Sequence, residues 1–251
     1  MFILALNFAG KLVALLLARA APGPAFALWF TPDLLLAYHL FFPNAQGLLR
    51  VHRRFITASR EVWLTIDDGP DPTDTPRLIS LLGTHHAHAT FFVIGARAAV
   101  YPELLRAITA AGHEIAHHTH THPLRSFWCA SPARLRRELA DAFTTLAAVG
   151  IRPTRFRPPA GIKNIWLKSA LAAHRLTCIG WSARGLERHH RDPAAVAAAV
   201  THRLRPGAIL LLHEGPRVPA SIRVEAIRLV LEKLTAQGYR CVIPTTGQLP
   251  A

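Results

Sequence analysis

The hydrophobic pattern of the chain becomes regular from Glu61 onward. Short runs rich in β-branched and aromatic residues alternate there with segments whose apolar positions recur at helical spacing. The runs predict strands at residues 61–67, 89–95, 113–116, 154–157, 176–182, 208–213 and 239–243. The intervening segments predict helices at residues 75–82, 102–111, 131–149, 164–174, 193–203 and 221–237. This alternation predicts a mostly parallel sheet in a barrel-like α/β domain.

Helix start and stop signals support the same division. Ser131 and Asp192 each precede a proline, as an N-cap precedes the first helical residue. Gly112 and Gly238 stand where two of the predicted helices should end. In α/β folds the active site lies at the carboxyl ends of the strands, so we expect the chemistry of this chain there.

The first 43 residues have a different pattern. Residues 2–17 and 25–42 are almost entirely apolar and predict two short membrane-seeking helices. Each is near or just below the roughly 20 residues that span a bilayer, and Pro32 interrupts the second. True spans, a re-entrant hairpin and in-plane helices therefore compete, and an apolar cap packed on the soluble domain is a further alternative.

We divide the chain into a hydrophobic, membrane-associated leader (1–43), a basic connector (44–60) and an α/β domain (61–251). Arg50, Arg53, Arg54 and Arg60 follow the leader, and by the positive-inside tendency they would hold the domain on the cytoplasmic side. Lys11 and Arg19 weaken that orientation, so the side stays open. We expect association with a membrane, in bacteria the inner membrane.

Charge narrows the choice of partners. The chain has 29 basic and 15 acidic residues, a formal net charge of +14, which favours an anionic partner such as nucleic acid or a lipid surface. The basic residues are spread along the chain without a recognisable motif for reading nucleic acid, so no specific nucleic-acid partner is expected. The three cysteines are far apart and lack a CxxC pair, which predicts buried free thiols.

Two adjacent acids end the first predicted strand. Asp67 and Asp68 follow an apolar run and precede Gly69 and Pro70. Neighbouring residues in a strand point to opposite faces, but a turn at the strand end can bring both carboxylates to one mouth. Two such charges repel unless a cation lies between them or one stays protonated, and a metal is the simplest solution. The alternative is a solvated acidic turn in which Asp68 or Asp71 caps the next helix.

The segment GHEIAHHTHTHP, residues 112–123, is a second cluster. Two neutral imidazoles and one carboxylate, with positions left for water, make a catalytic zinc-type site, and Asp68 could supply the carboxylate. Several histidine pairs have suitable spacing, so spacing alone does not name the ligands. A histidine-rich surface loop or an adventitious metal site is the alternative. The five histidines are His113, His117, His118, His120 and His122.

Two further pieces are RFRPPAG, residues 155–161, and ILLLHEG, residues 209–215. Arg157 leaves a strand at a rigid Pro-Pro turn, which places a permanent cation at the mouth. His213 follows an apolar strand and could donate a proton. Taken singly, an arginine at a strand end more often forms a salt bridge, and a single histidine more often has a structural role.

Taken in order, IDDGP, HTHTHP, RPPAG, GWSARGLE and LLLH resemble the motifs of the polysaccharide deacetylase family, also called the NodB-homology or carbohydrate esterase family 4 enzymes. The resemblance covers about residues 61–245. It implies a distorted (β/α)7-type barrel and metal-dependent removal of N-acyl groups, usually N-acetyl, from amino sugars.

The resemblance also implies roles for individual residues. Asp67 matches the general base and His213 the general acid. Arg157 matches the arginine that orients the base, and Glu187 replaces a shorter acid that orients the histidine. The implied metal ligands are Asp68, His118 and His122. Zinc is the default ion, and cobalt or nickel could occupy the same ligands.

The implied substrate contacts surround this site. Leu211 matches part of the wall that receives the acyl methyl group, and the backbone NH of Ala160 is a candidate second donor to the oxyanion. Ala160 replaces an aromatic residue of the family, which should open one side of the groove. The complete implied set is Pro158, Pro159, Ala160, Trp181 and Leu211.

The sequence thus predicts a metal-dependent carbohydrate N-deacetylase that acts on a glycan or a lipid-linked saccharide. The leader and the basic charge fit an anionic substrate held at a bilayer, while peptidoglycan and chitin-like oligosaccharides stay possible. Alternatives are a deformylase acting on a lipid-linked amino sugar and a non-catalytic glycan-binding relative. The pattern says nothing about the oligomeric state.

Overall fold

The computed structural model describes residues 2–187, 189–190 and 192–250. These residues form nine α-helices, two short 3-10 helices and eight strands. The strands are β1 (Glu61–Gly69), β2 (Ala89–Val93), β3 (Glu114–His117), β4 (Arg155–Phe156), β5 (Thr177–Cys178), β6 (Ala183–Arg184), β7 (Ala208–His213) and β8 (Arg240–Cys241). The helices are α1 (Phe2–Leu17), α2 (Pro22–Phe41), α3 (Asp74–Thr84), α4 (Gly95–Val100), α5 (Pro102–Ala110), α6 (Pro132–Ala147), α7 (Leu167–Ala173), α8 (Pro193–Thr201) and α9 (Arg223–Ala236).

The strands form one curled parallel sheet. Its order is β5-β4-β3-β2-β1-β7-β6, with β8 also paired to β1. A flat sheet would separate β5 from β6 by six strand spacings, about 29 Å. Only residues 179–182 join these two strands, and a chain of that length reaches at most about 18 Å. The sheet therefore bends into a distorted half-barrel, which is the parallel α/β architecture that the sequence predicts.

The segment before β1 lies across the gap between the two edges of the sheet. His52 bridges to Ile179 beside β5, and Arg54 bridges to Ala208 of β7. The Phe55 side chain is buried in the interior of the half-barrel. Residues in the range 44–60 therefore contribute to the core of the α/β unit as well as linking it to the leader.

Strand alternation separates two apolar cores. Along β1, Val62, Leu64 and Ile66 face the layer between the sheet and the surrounding helices. Trp63 faces the interior of the half-barrel, where it belongs to a second buried cluster. By the same alternation Asp67 points to the interior side, at the carboxyl end of the strand.

Two predicted strands differ from the structure. The run at residues 89–95 ends as a strand at Val93, and helix α4 begins at Gly95, where the side chain of His120 and the helix α6 approach too closely for a Cβ atom. The run at residues 176–182 is not one strand. Only Thr177 and Cys178 of it form a strand, β5, and β6 begins beyond it at Ala183. Gly180 lies between the two strands, where Asn44 and Val51 are 2.6 and 2.7 Å from the position that a Cβ would take.

The predicted helix signals are confirmed. The Ser131 hydroxyl accepts a hydrogen bond from the Arg134 amide, and the Asp192 carboxylate accepts one from the Ala194 amide. Gly112 and Gly238 adopt φ angles of 78° and 70° just past α5 and α9. These left-handed angles end a helix with little strain only at glycine.

The cysteine prediction is partly wrong. Cys178 and Cys241 are buried free thiols, whereas Cys129 is exposed. Cys129 lies in the loop that follows the histidine cluster, where alternation gives no signal of burial.

The leader folds as a helical hairpin of α1 and α2. Within the described part of the chain, none of the helices combines the length and the apolar character needed to cross a membrane.

Candidate functional site

A cavity of about 250 Å³ opens at the carboxyl ends of β1, β3, β4 and β7. The sheet brings together here residues that are up to 146 positions apart in the chain, from Asp67 to His213. Arg157 lies fully buried beneath the cavity floor. Pro158 and Pro159 are not part of the lining. The predicted site residues that line the cavity are Asp67, Asp68, His118, His122, Ala160, Trp181, Glu187, Leu211 and His213.

The backbone at Asp68 explains why both acids face the same mouth. Asp68 adopts a left-handed φ of 71°, and the pairing of β1 with β2 shifts register between Asp67 and Gly69. The left-handed turn interrupts the alternation that would send the second carboxylate to the opposite face. Aspartate tolerates this conformation better than most residues. The predicted convergence of the two carboxylates is confirmed, but it begins at Asp68 itself, before the Gly-Pro turn.

The acids do not form a solvated turn. Asp67 and Asp68 are only 2% and 3% exposed, so they lie inside the cavity and not on a surface turn. The helix-capping role falls to Asp71, whose Oδ1 accepts hydrogen bonds from the Thr73 and Asp74 amides. The carboxylate pair is therefore available for another function.

Asp68, His118 and His122 form a cluster with the geometry of a metal site. One ligand atom from each of the three lies within 4.8 Å of the others. Asp68 Oδ1 is 3.2 Å from His122 Nε2 and 3.6 Å from His118 Nε2, and within the described residues it has no hydrogen-bond partner although it is buried. Two imidazole nitrogens and one carboxylate oxygen match a divalent ion such as zinc, so the residues fit the implied metal.

The charges in the cluster favour the forms that bind metal. Burial alone would raise the pKa of Asp68, but the adjacent rings of His118 and then of His122 hold it well below its ordinary value. Burial, together with the charge of His118, lowers the pKa of His122 to about 3. An ionised carboxylate and a neutral imidazole are the states that a metal ligand needs.

Surrounding contacts orient both candidate histidine ligands. The His118 ring donates Nδ1–H to the Arg157 carbonyl at 2.7 Å, which leaves the Nε2 lone pair facing Asp68. His122 adopts a left-handed φ of 55°, and its amide donates to the Thr119 hydroxyl. Such strained backbone angles occur where a site over-determines the position of a side chain.

Strand alternation removes His117 from the site. Its Nδ1 accepts from the Thr119 amide and its Nε2 donates to the Leu139 carbonyl, both at about 3 Å. Burial lowers the pKa of His117 to about 4, so the ring is neutral. It packs between Phe143 and Phe156, outside the half-barrel. His113 and His120 also lie outside the cavity lining.

Arg157 fixes Asp67 from below. Its Nη1 donates to Asp67 Oδ1 at 2.6 Å, and its remaining nitrogens donate to carbonyl oxygens of the segment that joins β5 to β6. The guanidinium group also packs over the Phe92 ring. The other oxygen of Asp67, Oδ2, lies 3.7 Å from His118 Nε2, beside the candidate metal site. One side of the carboxylate is thus held in place while the other faces the cluster.

His213 pairs with Glu187 on the opposite wall. His213 Nδ1 lies 3.0 Å from Glu187 Oε1, and the Glu187 side chain is buried. Burial opposes the charged form of His213, but the hydrogen bond and charge of Glu187, followed by the charges of Asp67 and Asp68, raise its pKa to about 9. His213 therefore holds a proton at neutral pH, and its other ring nitrogen remains for a substrate.

Sequence inspection missed several supporting residues. Thr65 accepts a hydrogen bond from Arg157. Glu138 on α6 accepts hydrogen bonds from the amides of His120 and Thr121, and these hold the loop between His118 and His122. Exposed Arg217 contacts the His122 ring. These partners come from other elements, and Thr65 alone carried a signal, as a polar residue in an apolar strand.

A buried carboxyl group lies beneath the turn that carries the two acids. Glu214 is fully buried, accepts a hydrogen bond from Thr75, and leaves Oε1 without a partner among the described residues. Burial, and then the charges of Asp71 and Asp74, raise the pKa of Glu214 to about 8. The folded protein therefore holds a proton on Glu214 at neutral pH.

This proton should make stability depend on pH. Because the folded pKa of Glu214 is above the ordinary value, its contribution is complete at pH 4 and is lost as the pH rises toward and through about 8. The free energy of unfolding of the wild type should fall by about 2 to 4 kcal/mol between pH 5 and pH 8 through this group. In Glu214→Gln, which has no proton to lose at this position, that fall should be absent. Urea unfolding of the metal-free proteins at several pH values measures it. Parallel curves for both proteins would contradict the expectation.

Comparisons with known proteins agree with this geometry. A family model described as polysaccharide deacetylase matches residues 56–179. The chain is 37% identical over 175 residues to a chitooligosaccharide deacetylase of Bradyrhizobium, covering 67% of this chain and 78% of the relative. It is 36% identical over 190 residues to a peptidoglycan-N-acetylglucosamine deacetylase of Bacillus cereus, covering 72% of this chain and 84% of the relative.

A solved structure shares the fold. The family 4 carbohydrate esterase of Streptomyces lividans, determined in complex with acetate, superposes with a TM-score of 0.68 at 31% sequence identity. The match covers 78% of this chain and 99% of that one. The half-barrel is therefore shared over almost the whole length of the esterase.

Proposed function

Because the chain belongs to the polysaccharide deacetylase family, we propose that it is a metal-dependent hydrolase that removes N-acetyl groups from amino sugars. The observation that carries this proposal is the cluster of Asp68, His118 and His122 in one cavity with the Arg157-bound carboxylate of Asp67. Its relatives are named for chitooligosaccharides and for peptidoglycan N-acetylglucosamine. An N-acetylated glucosamine unit is accordingly the proposed substrate.

Asp68, His118 and His122 would hold the ion, with zinc as the default and cobalt or nickel able to use the same donors. A divalent cation bound there supplies a Lewis acid that polarises the amide carbonyl and lowers the pKa of water. The remaining steps fall to residues of the chain.

Asp67 acts as the general base. Arg157 holds its Oδ1, so Oδ2 is the oxygen that faces the reacting water and accepts its proton. The fixed geometry matters because proton transfer depends on a hydrogen-bond distance being available in the transition state.

His213 acts as the general acid. Glu187 keeps the ring protonated and oriented through Nδ1, so Nε2 can give its proton to the departing amine. Without that proton the nitrogen is a very poor leaving group.

The cavity wall would select the acyl group. Leu211 and Trp181 offer an apolar surface to the acetyl methyl group, and the backbone NH of Ala160 is the proposed second donor to the oxyanion. A formyl group lacks that methyl, so acetyl is favoured over the deformylase alternative. A non-catalytic glycan-binding relative would need neither the Glu187–His213 pair nor the Arg157–Asp67 pair.

The test is metal-dependent acetate release. Protein stripped by a chelator should release no acetate from N-acetylated chitooligosaccharides or peptidoglycan fragments, and one equivalent of zinc, cobalt or nickel should restore release. Parallel assays for formate on N-formylated glucosamine would identify a deformylase. A protein that binds no metal after reloading and releases neither acid would overturn the proposal.

Replacing Glu187 with glutamine should shift the pH profile. The glutamine no longer stabilises the imidazolium of His213, so the pKa of that ring falls and the alkaline limb of kcat/KM moves down by about one pH unit. Bound metal should be unchanged. Glu232→Gln, on the exposed side of α9, is the matched control. An unshifted alkaline limb in the Glu187 variant would show that Glu187 does not set the protonation of His213.

A further inference from the structure

Small residues and partly exposed polar residues lie along the contact between α1 and α2. Gly10 packs so closely that a Cβ would lie 3.0 Å from Pro32, and Ala14 and Ala25 are buried. Polar groups also meet between the helices. They are Asn7, which donates to Asp33 at 2.7 Å, and Lys11, which pairs with Asp33 at 2.9 Å. Close backbone approach at small residues and mutual pairing of polar groups are features of helices packed in lipid.

The outside of the hairpin is apolar. Along α1 the stripe that faces α2 contains residues 7, 10, 11, 14 and 17, and the other described side chains of that helix are exposed. Helices in water normally have the reverse arrangement, with the apolar stripe inside. Large side chains on this surface, which we call the hairpin surface, include Phe8 (75% exposed), Leu16 (77%), Phe26 (68%) and Leu34 (70%).

The base of the hairpin is fixed to the rim of the catalytic cavity. Buried Lys163 donates its amide to the Leu40 carbonyl and its ammonium group to the carbonyls of Phe42 and Pro43, at 2.6 to 2.9 Å. Pro43 also packs against Gly161, where a Cβ would lie 2.5 Å from the proline ring. Gly161 lines the cavity, so the hairpin and the cavity mouth are held together.

Exposed aromatic and basic residues occur near that base, one of them in contact with it and the others a few positions from it or from Lys163 in the chain. Trp128 contacts Phe41 with ring centroids 5.7 Å apart and is 42% exposed, and Trp166 is 45% exposed. Exposed tryptophan is typical of the boundary between water and lipid. Arg50 and Arg53 are exposed just past the base, where they complement anionic headgroups.

We propose that the hairpin surface embeds in an anionic lipid bilayer and holds the cavity mouth there, so that the enzyme deacetylates amino sugars carried on lipid. The proposed substrate rests on the proposed function. The lipid partner rests only on the hairpin and on the exposed aromatic and basic residues near its base. A second copy of the chain would cover one side of the hairpin. Lipid covers it all round, which matches exposure on every side of α1 except the stripe that faces α2.

The test is flotation of the full chain with vesicles. Phosphatidylcholine vesicles containing phosphatidylglycerol should carry the wild type to the top of a density gradient, and vesicles without the anionic lipid should carry less. Phe8→Glu combined with Leu16→Glu should lower the floating fraction roughly tenfold or more, because charges enter the lipid-facing surface. Val100→Glu changes a side chain that is 65% exposed on the α/β unit and should float like the wild type.

A second arm tests the substrate. Acetate release from an N-acetylglucosamine-bearing glycolipid in the same vesicles should fall in the double variant by a similar factor relative to release from a soluble chitooligosaccharide. Unchanged thermal unfolding and metal content verify the fold. A wild type that forms a defined dimer and ignores vesicles overturns the inference.

The two proposals fail separately. Acetate release without vesicle binding overturns the lipid inference alone. Vesicle binding by a metal-loaded protein that releases no acetate overturns the proposed function and the lipid-borne substrate, and leaves the lipid partner standing.

Discussion

Replacing Asp68 with asparagine is expected to cost the protein its metal and its turnover together. The substitution removes the charged ligand between His118 and His122 and keeps a side chain that tolerates the left-handed φ of 71°. Loss of a surrounding contact already weakens metal binding 10- to 100-fold, so loss of a ligand should weaken it by more than about 100-fold. We expect kcat/KM to fall about a thousandfold at limiting zinc.

Competition with a zinc-sensitive dye measures the affinity, and acetate release measures the turnover. Asp192→Asn is the matched control, because asparagine caps a helix about as well as aspartate. A variant of Asp68 that keeps full zinc affinity would show that the ion, if any, is held elsewhere.

Asp67→Asn should separate metal binding from chemistry. Arg157 can still donate to the amide oxygen, so the side chain should stay in place, but the amide accepts no proton from water. We expect kcat to fall by about 10² to 10⁴, the usual contribution of a general base, with zinc affinity within a few-fold of wild type.

The comparison with Asp68→Asn makes this result diagnostic. Both variants exchange one acid for its amide at adjacent positions, yet only one of them should lose metal. If Asp67→Asn also released the zinc, the two acids would share the ion and the division of roles would be wrong.

Much of the fold and of the candidate site could be predicted from the sequence, because many of the site residues lie in short local motifs. Asp67 and Asp68 lie at the end of one apolar strand, and His118 and His122 follow another, so the elements and the donor types could be predicted together. The order of five motifs then identified the family, since each motif has its own physical requirement at a strand end.

The ligand set is a different case. Spacing left five histidines as candidates, and the family pattern selected two of them. The structure supplies the physical reason, because His117 points between β4 and α6 while its neighbour His118 points into the half-barrel. Alternation along β3 separates the two rings, and sequence alone did not fix which face was inside.

Contacts between segments that are far apart in the chain could not be predicted from the sequence. Arg157 meets Asp67 across 90 positions, and Glu187 meets His213 across 26. Lys163 was missed because its partners are backbone carbonyls, which no residue type identifies.

By itself, then, the sequence determined the alternating elements, the acidic and histidine donors, the family and the apolar leader, because each is written in local periodicity or in a short motif. Only the tertiary structure decided that Asp68 turns left-handed, that Glu187 reaches His213, and that the hairpin adjoins the cavity mouth. Those outcomes depend on how a parallel sheet curls and on which backbone groups it leaves to be satisfied, and both are set by contacts between segments far apart in the chain.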